Sequence, residues 1–251
     1  MSAFVGADIS TAVLSSGMTN SEKTALLCDI GTNGEIALWK NGRLYVSSTA
    51  AGPALEGAGI SCGCSGIPGA IDRVLFNENG AVVHTIGDIK AVGVCGSGLI
   101  DAVAYFLNAQ IIDETGALDG DTSLADGIML TQKDIRAVQL AKAAIAAGIH
   151  TLLQVSGTKE DEIDTLYIAG GFGNHLNIES AVRIGLIPAS LASKSRSIGN
   201  AALAGAVMLM LDKTKADVLR TFALNAETVN LGGNPAFNER YMDEMLFPDE
   251  E

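Results

Sequence analysis

Basic residues are scarce in this chain: 16 Lys and Arg stand against 29 Asp and Glu, a formal net charge of −13. That balance argues against nucleic acid or an anionic membrane surface as a partner. A phosphate-bearing ligand would have to be held by backbone dipoles and a bridging cation, because no basic surface is available to attract it. Aromatic residues are also few, at 5% with a single Trp, while hydrophobic residues make up 48%. The core is therefore aliphatic and alanine-rich, and 251 residues suffice for one large domain or two small ones. No basic segment followed by an apolar run opens the chain, so no secretory signal is read. The longest apolar stretch, Ala201 to Leu211, is too short to span a bilayer, and a cytoplasmic protein is expected.

Cysteine is rare as well, at positions 28, 62, 64 and 95. Cys28 and Cys95 fall in apolar runs, where a buried thiol acts as a small hydrophobe. Cys62-Gly63-Cys64 could join other thiolates at a metal. No histidine lies near it in sequence and Cys-x2-Cys spacing is absent, so a reactive thiol or a glycine-rich loop with incidental cysteines reads better.

What the chain does have is glycine at the ends of apolar strands. Leu26-Leu27-Cys28 runs into Asp29-Ile30-Gly31-Thr32-Asn33-Gly34, and a second strand leaves from Glu35. Two such strands with a turn between them suit a β-hairpin, with Asn33-Gly34 as a turn pair at positive φ. Small residues let backbone N–H groups approach phosphate oxygens, and an aspartate at the strand end could hold Mg²⁺ beside them. A plain hairpin with an incidental Asp fits the same residues. A second cluster, Gly96-Ser97-Gly98, follows the short strand Ala91 to Cys95 and opens an apolar helix, a place that favours an anion. A third, Gly170-Gly171-Phe172-Gly173, follows the strand Leu166 to Ala169 and permits close approach of a flat ligand. Tight strand-to-helix packing explains each cluster singly; three together favour a nucleotide site.

The order Asp29-Ile30-Gly31-Thr32-Asn33-Gly34-Glu35, Gly52-Pro53-Ala54-Leu55-Glu56-Gly57, Cys95-Gly96-Ser97-Gly98-Leu99-Ile100-Asp101 and Ala169-Gly170-Gly171-Phe172-Gly173 resembles one family. It is similar to the C-terminal part of the ATP-dependent reductive activators of corrinoid proteins, within the acetate and sugar kinase, Hsp70 and actin (ASKHA) superfamily. The similarity runs from Phe4-Val5-Gly6-Ala7-Asp8 to the C-terminal region. It implies an α/β fold, an RNase H-like mixed sheet flanked by helices as in the actin-like ATPases, here mainly the second subdomain. Residues 1–251 would form the C-terminal half of the nucleotide-binding module, with irregular insertions near 50–90 and 112–130. In that superfamily two subdomains close around ATP and Mg²⁺. The resemblance makes Asp29 the catalytic and metal-holding residue. Gly31, Thr32, Asn33, Gly34, Gly96, Ser97, Gly98, Gly170, Gly171, Phe172 and Gly173 become the nucleotide contacts.

The implied activity is ATP hydrolysis coupled to reduction of a corrinoid protein trapped as inactive Co(II). A non-redox, nucleotide-dependent reactivating chaperone or scaffold is the alternative, and a kinase is weaker because its acceptor base would lie on the missing half. Complete members carry an N-terminal iron–sulfur domain and a first nucleotide-binding half with its own Asp-Ile-Gly-Thr-Thr. This sequence shows no second Asp-x-Gly-Thr and no Cys-x4-Cys-x2-Cys. The chain is therefore expected to carry no iron–sulfur cluster, to hydrolyse ATP weakly or not at all alone, and to act through a corrinoid protein, the missing half and a second copy of itself.

Hydrophobic patterning predicts a helix over Asp8–Ser16 and antiparallel strands over Leu26–Asp29, Glu35–Trp39 and Leu44–Ser48, the last two joined at Lys40-Asn41-Gly42. A further hairpin is predicted from Ile71–Phe76 and Ala81–Ile86, then a helix over Gly98–Ala109. Glu114–Asp126 reads as an exposed, mobile connection. Thr131-Gln132-Lys133-Asp134 has a helix-start signature. A strand over Ile163–Ala169 follows, then helices over Ser197–Leu211 and Ala216–Leu224, a strand over Glu227–Leu231 and a helix over Phe237–Leu246. Among single residues, Glu56 reads as a surface carboxylate or a Mg²⁺ neighbour, and Glu35 as ordering the first turn. Helix-dipole placement accounts for Asp101. His84 and His150 read as structural or surface groups, His175 as nearer the nucleotide, and Trp39 and Tyr167 as packing residues.

Overall fold

The computed structural model describes residues 6–77, 80–171 and 175–249. Helix α1 (Ala7–Ser16) leads into strands β1 (Ala25–Ile30), β2 (Gly34–Lys40) and β3 (Arg43–Thr49). Next come β4 (Ala70–Asn77), β5 (Gly80–Thr85), β6 (Gly93–Val94) and α2 (Gly96–Asn108). A small hairpin, β7 (Thr122–Ala125) and β8 (Ile128–Leu130), precedes the long α3 (Gln132–Ser156). The chain continues through β9 (Thr165–Ala169), α4 (Ile178–Arg183), β10 (Ser195–Gly199), α5 (Ala201–Leu211), α6 (Thr214–Asn225), β11 (Glu227–Thr228) and α7 (Pro235–Asp243). These elements sort into two compact units, Met1–Thr49 with Ala147–Asn174 and Ser190–Arg240, and Ala50–Ala146 with His175–Ala189 and Tyr241–Glu251.

The first unit is built on a six-stranded sheet in the order β10-β9-β1-β2-β3-β11. β1, β2 and β3 pair antiparallel, as the alternation of apolar runs and turns predicts, whereas β9 joins β1 and β10 joins β9 in parallel. Residues in register share a face, so Ala25, Leu27, Ala37, Leu44 and Val46 line one side of the sheet. On that side they meet Ile9, Ala12, Val13 and Leu14 of α1, together with Ala201 and Phe222. The opposite side carries Leu26, Cys28, Ile36 and Leu38, all buried, and receives the C-terminal part of α3. Gly148 allows that approach, because a Cβ there would stand 2.6 Å from Ile36 Cδ1. With few aromatics to act as spacers, helices come down close. Gly205 of α5 lies against the backbone of α1, where a Cβ would meet the Thr11 carbonyl oxygen at 2.0 Å.

In the second unit β5, β4 and β6 form a three-stranded sheet on which α2 packs. Helix α3 starts here with the predicted reciprocal cap: Thr131 N–H donates to Asp134 Oδ2 at 2.8 Å and Asp134 N–H to Thr131 Oγ1 at 3.4 Å. The C-terminal segment straps across this unit. Lys142, fully buried on α3, donates to the Leu246 carbonyl at 2.5 Å and lies 3.9 Å from Glu244 Oε2 and 5.6 Å over the Phe247 ring. Among the described residues α3 is the one helix long and apolar enough to cross a membrane, yet 78% of its most apolar window is buried inside the protein, as in a core helix.

Four local expectations need correction. Ser195–Gly199 is the parallel edge strand β10 rather than the start of a helix, and α5 begins only at Ala201. The Asn200 side chain caps it by accepting from Leu203 N–H at 2.9 Å. The connection over 114–126 contains β7 and is ordered by the β7–β8 pairing and by Leu118 N–H donating to Gln132 Oε1 at 2.8 Å. The strand expected over Glu227–Leu231 is only two residues long, although Val229 N–H still donates to the Val46 carbonyl at 2.8 Å. Lastly, Gly34 opens β2 opposite Ile30, so the first turn is the three residues Gly31–Asn33 and Asn33-Gly34 is not its two-residue loop. That geometry belongs to the next hairpin, with Asn41 at φ 51° and Gly42 at φ 77°.

Replacing Gly205 with Ala drives a methyl into the Thr11 carbonyl and should cost about 1–3 kcal/mol of stability. Denaturant unfolding of the variant against the parent checks this.

Candidate functional site

The strand register brings two of the three glycine clusters to one place. β1 lies between β2 and β9, with Asp29 opposite Glu35 on one side and opposite Ala169 on the other. The two turns that follow, Gly31–Asn33 and Gly170–Gly171, therefore leave the same end of the sheet side by side. Gly170 is wedged there at φ 121°, where a Cβ would stand 2.2 Å from the Ile30 carbonyl oxygen, and its N–H donates to the Gly199 carbonyl at 3.0 Å. A side chain at this position is excluded twice, by conformation and by space. Gly171 is exposed with nothing within 4 Å of an added Cβ. In the first turn Gly31 N–H closes onto the Asn33 carbonyl at 3.1 Å. Phe172 and Gly173 lie outside the described residues, as do Phe4 and Val5.

Three carboxylates converge electrostatically at this end of the sheet. Asp29 and Glu35 face each other across β1 and β2, and Ser48, the β3 residue in register with Glu35, hydrogen-bonds to it. Burial, reinforced by the charge of Asp8 on α1, pushes the Asp29 pKa up to about 6. Burial, then Asp29 and Asp8, pushes Glu35 up to about 7, against the pull of its own backbone and Ser48. Cys28, next to Asp29 but on the other face, is raised to about 12 by burial and then by Asp29, so it behaves as an inert core thiol. Mg²⁺ binds through one or two carboxylates completed by phosphate and water oxygens, and an acidic pair beside an open glycine turn suits that donor set. Among the described residues no group of three or more His, Cys, Asp or Glu forms an all-protein metal cage.

The remaining glycine cluster and most of the other candidates sit in the second unit. Gly96, Ser97 and Gly98 are buried at the start of α2. Ser97 Oγ donates to the Asp72 carbonyl at 2.9 Å, and a Cβ on Gly98 would stand 2.2 Å from the Ile71 carbonyl oxygen. Close helix-to-strand packing thus accounts for this turn. Asp101, assigned by sequence to the helix dipole, is buried and accepts from Val74 N–H at 3.2 Å, an anchoring role that only the sheet reveals. His84 Nδ1 lies 2.6 Å from Asp72 Oδ1, and His150 Nδ1 lies 3.6 Å from Glu160 in the first unit. Glu56 is exposed at the end of a short 3-10 turn and His175 is exposed on a loop. Trp39 packs against the α1-side core and donates Nε1–H to the Ser21 carbonyl at 2.7 Å. Tyr167 packs there too.

A mixed sheet that starts with three antiparallel strands, continues in parallel and carries a glycine turn after its first strand defines an ASKHA-type, RNase H-like unit. The chain belongs to the family described as "C-terminal domain of RACo the ASKHA domain", whose model matches residues 23–251. It is 38% identical to the "Corrinoid activation enzyme RamQ" of Eubacterium limosum, over 98% of this chain and 46% of that protein. It is 32% identical to the "[Co(II) methylated amine-specific corrinoid protein] reductase" of Methanosarcina barkeri, over 97% of this chain and 49% of that protein. A solved "Reductive activator for corrinoid,iron-sulfur protein" superposes with a TM-score of 0.90 at 35% identity, covering 96% of this chain and 42% of the other. The chain thus spans about half the length of the curated relatives it matches.

The acidic pair makes stability depend on pH in a definite direction. Asp29 and Glu35 hold protons in the folded state up to about 6 and about 7, above their ordinary 3.8 and 4.5, so the folded protein binds more protons through that window. Their contribution is fully present below the unfolded values and is lost as pH rises through the folded ones. Glu35→Gln should remove the Glu35 share of this slope, leave the Asp29 share that burial and Asp8 produce, and raise stability near neutrality by on the order of 1 kcal/mol, after allowance for solvent screening of these half-buried groups. Denaturant unfolding across that pH range measures both effects.

Proposed function

We propose that this chain is the ATP-binding part of a reductive activator, which couples ATP hydrolysis to reduction of a corrinoid protein held in the inactive Co(II) state. The observation that carries this reading is the meeting of the Asp29 turn and the Gly170–Gly171 turn at one end of the sheet, in a chain of this family. Asp29 would hold Mg²⁺, directly or through water, with Glu35 beside it. The Gly31–Asn33 turn and Gly34 would border the phosphates, while Gly170 and Gly171, and beyond them Phe172 and Gly173, would border the adenosine. When bound, the cation screens the phosphate charge that the acidic surface repels. Asp29 and Glu35 are already crowded as anions, so binding it relieves a repulsion built into the fold.

In this reading residues 1–251 are the C-terminal half of the nucleotide module. The second phosphate motif and the iron–sulfur electron carrier would belong to the rest of a protein about as long as the relatives. Reduction of Co(II) corrinoid is uphill, so nucleotide-driven closure would have to stabilise the complex in which the electron passes. These residues would supply nucleotide contacts and docking surface to that complex. A second copy of the chain is a further proposed partner, because a half-module leaves apolar surface uncovered.

Calorimetric titration with Mg-ATP, alongside phosphate release, tests the reading. Weak Mg-dependent binding is expected from this chain, lost in Asp29→Ala. Turnover should be slow or absent, because the surface that excludes water and aligns the attacking group is incomplete. Gly171→Val should leave unfolding unchanged within about 0.5 kcal/mol, having open space around it, yet weaken nucleotide binding. Equal ATP affinity in the parent, Asp29→Ala and Gly171→Val would overturn the site assignment. Rapid Mg-dependent turnover abolished by Asp29→Ala would show that these residues form a complete catalytic site.

A further inference from the structure

The cysteines left over from the nucleotide reading are not scattered. Cys62-Gly63-Cys64 runs parallel to β6: Val94 N–H donates to the Cys62 carbonyl and Cys64 N–H to the Val94 carbonyl, each at 2.9 Å. The bridge centres on Gly63 and Val94, which puts Cys64 opposite Cys95 and Cys62 opposite Gly93. Side chains alternate along an extended chain, so Cys62, Cys64 and Cys95 share one face. The Cys64 side chain lies over Gly93, where an added Cβ would stand 2.8 Å from its Sγ, so closing onto Cys95 takes a rotation about the Cys64 Cα–Cβ bond. All three thiols are free; Cys95 is buried, while Cys62 and Cys64 are partly exposed. Paired strands run about 4.8 Å apart, inside the Cα separation of about 4.4–6.8 Å that a disulfide spans.

We propose that Cys64 and Cys95 form a redox-responsive dithiol that closes to a disulfide by exchange with a small-molecule disulfide of the glutathione class. Cys64, reachable from solvent, attacks as thiolate and forms a mixed disulfide, releasing one small thiol. Cys95 then attacks the Cys64 sulfur, forming the intramolecular S–S bond and expelling the second small thiol. Two protein thiols are oxidised, one small disulfide is reduced to two thiols, and the two protein protons leave on them. Burial, with Cys95 as a second cause, holds the Cys64 thiol above its ordinary pKa, so exchange accelerates with rising pH. Cys62 is pushed up to about 11, by burial first and then by Asp134, and is the poorer entry point. Because Cys95 is the N-cap of α2, the closed form clasps the Cys62–Cys64 loop to the start of that helix.

The test treats the reduced native chain with oxidised glutathione at about pH 7 and about pH 9, alkylates the remaining thiols and maps peptides without reduction. A Cys64–Cys95 linked peptide is expected, formed faster at the higher pH, preserved in Cys62→Ser and absent in Cys64→Ser. It should also be absent in Cys95→Ser, or in Cys95→Ala where the buried serine prevents folding. A stable glutathione adduct on Cys64 with Cys95 still free to alkylate would overturn the proposal. So would a Cys62–Cys64 bridge, no oxidation at either pH, or a cross-link that appears only in denaturant.

Discussion

The pairing of β1 with β2 on one side and β9 on the other is the constraint on which the candidate site depends. One register sets Asp29 against Glu35, the other sets it against Ala169, and together they fix where two glycine turns emerge. The parallel pair is tight at its end, because Gly170 touches the Ile30 carbonyl where no other residue fits. A slip of one residue in either pairing would turn Asp29 to the other face of the sheet. The site is thus a property of strand register more than of any single motif.

Close approach takes the place of bulk in the packing of this protein. With aromatics at 5%, the elements are not held apart by rings. Backbones meet at Gly98 on Ile71 and at Gly205 on Thr11, and Gly148 lets α3 settle on Ile36. The same economy leaves few places where a residue can be enlarged, which is why these glycines matter to stability as much as the glycines of the turns matter to a ligand. Electrostatics then distinguishes the two kinds. The packing glycines lie against backbone and aliphatic groups that carry no charge, whereas the first turn follows an Asp29 whose carboxylate is crowded by Glu35 and Asp8.

Much of the fold was legible from pattern. The antiparallel start, the β4–β5 hairpin and the Thr131–Asp134 helix start all follow from apolar spacing and local capping chemistry. The misreadings have identifiable physical causes. Ser195 to Gly199 is polar and short, and it is a strand because β9 offers an open edge, a long-range reason. The β7–β8 hairpin carried a usable signal in Asp126-Gly127, with Gly127 at φ 77°, which was masked by the polar residues around it. Asp101 reads as an ordinary helix-start carboxylate until Val74 is seen to donate to it.

Residue order alone determined that this chain would make strand–turn–strand units with glycine at their ends, because those choices rest on neighbours within a few positions. It also determined the charge that any phosphate ligand must overcome. Which clusters meet was decided only by tertiary structure. Gly170 reached Ile30 and Asp29 found Ala169 across more than half the chain, through parallel pairing that no local propensity encodes. The same holds for Cys64 and Cys95, whose likeness as thiols is visible in sequence, and whose opposition across a single bridge is a product of the fold.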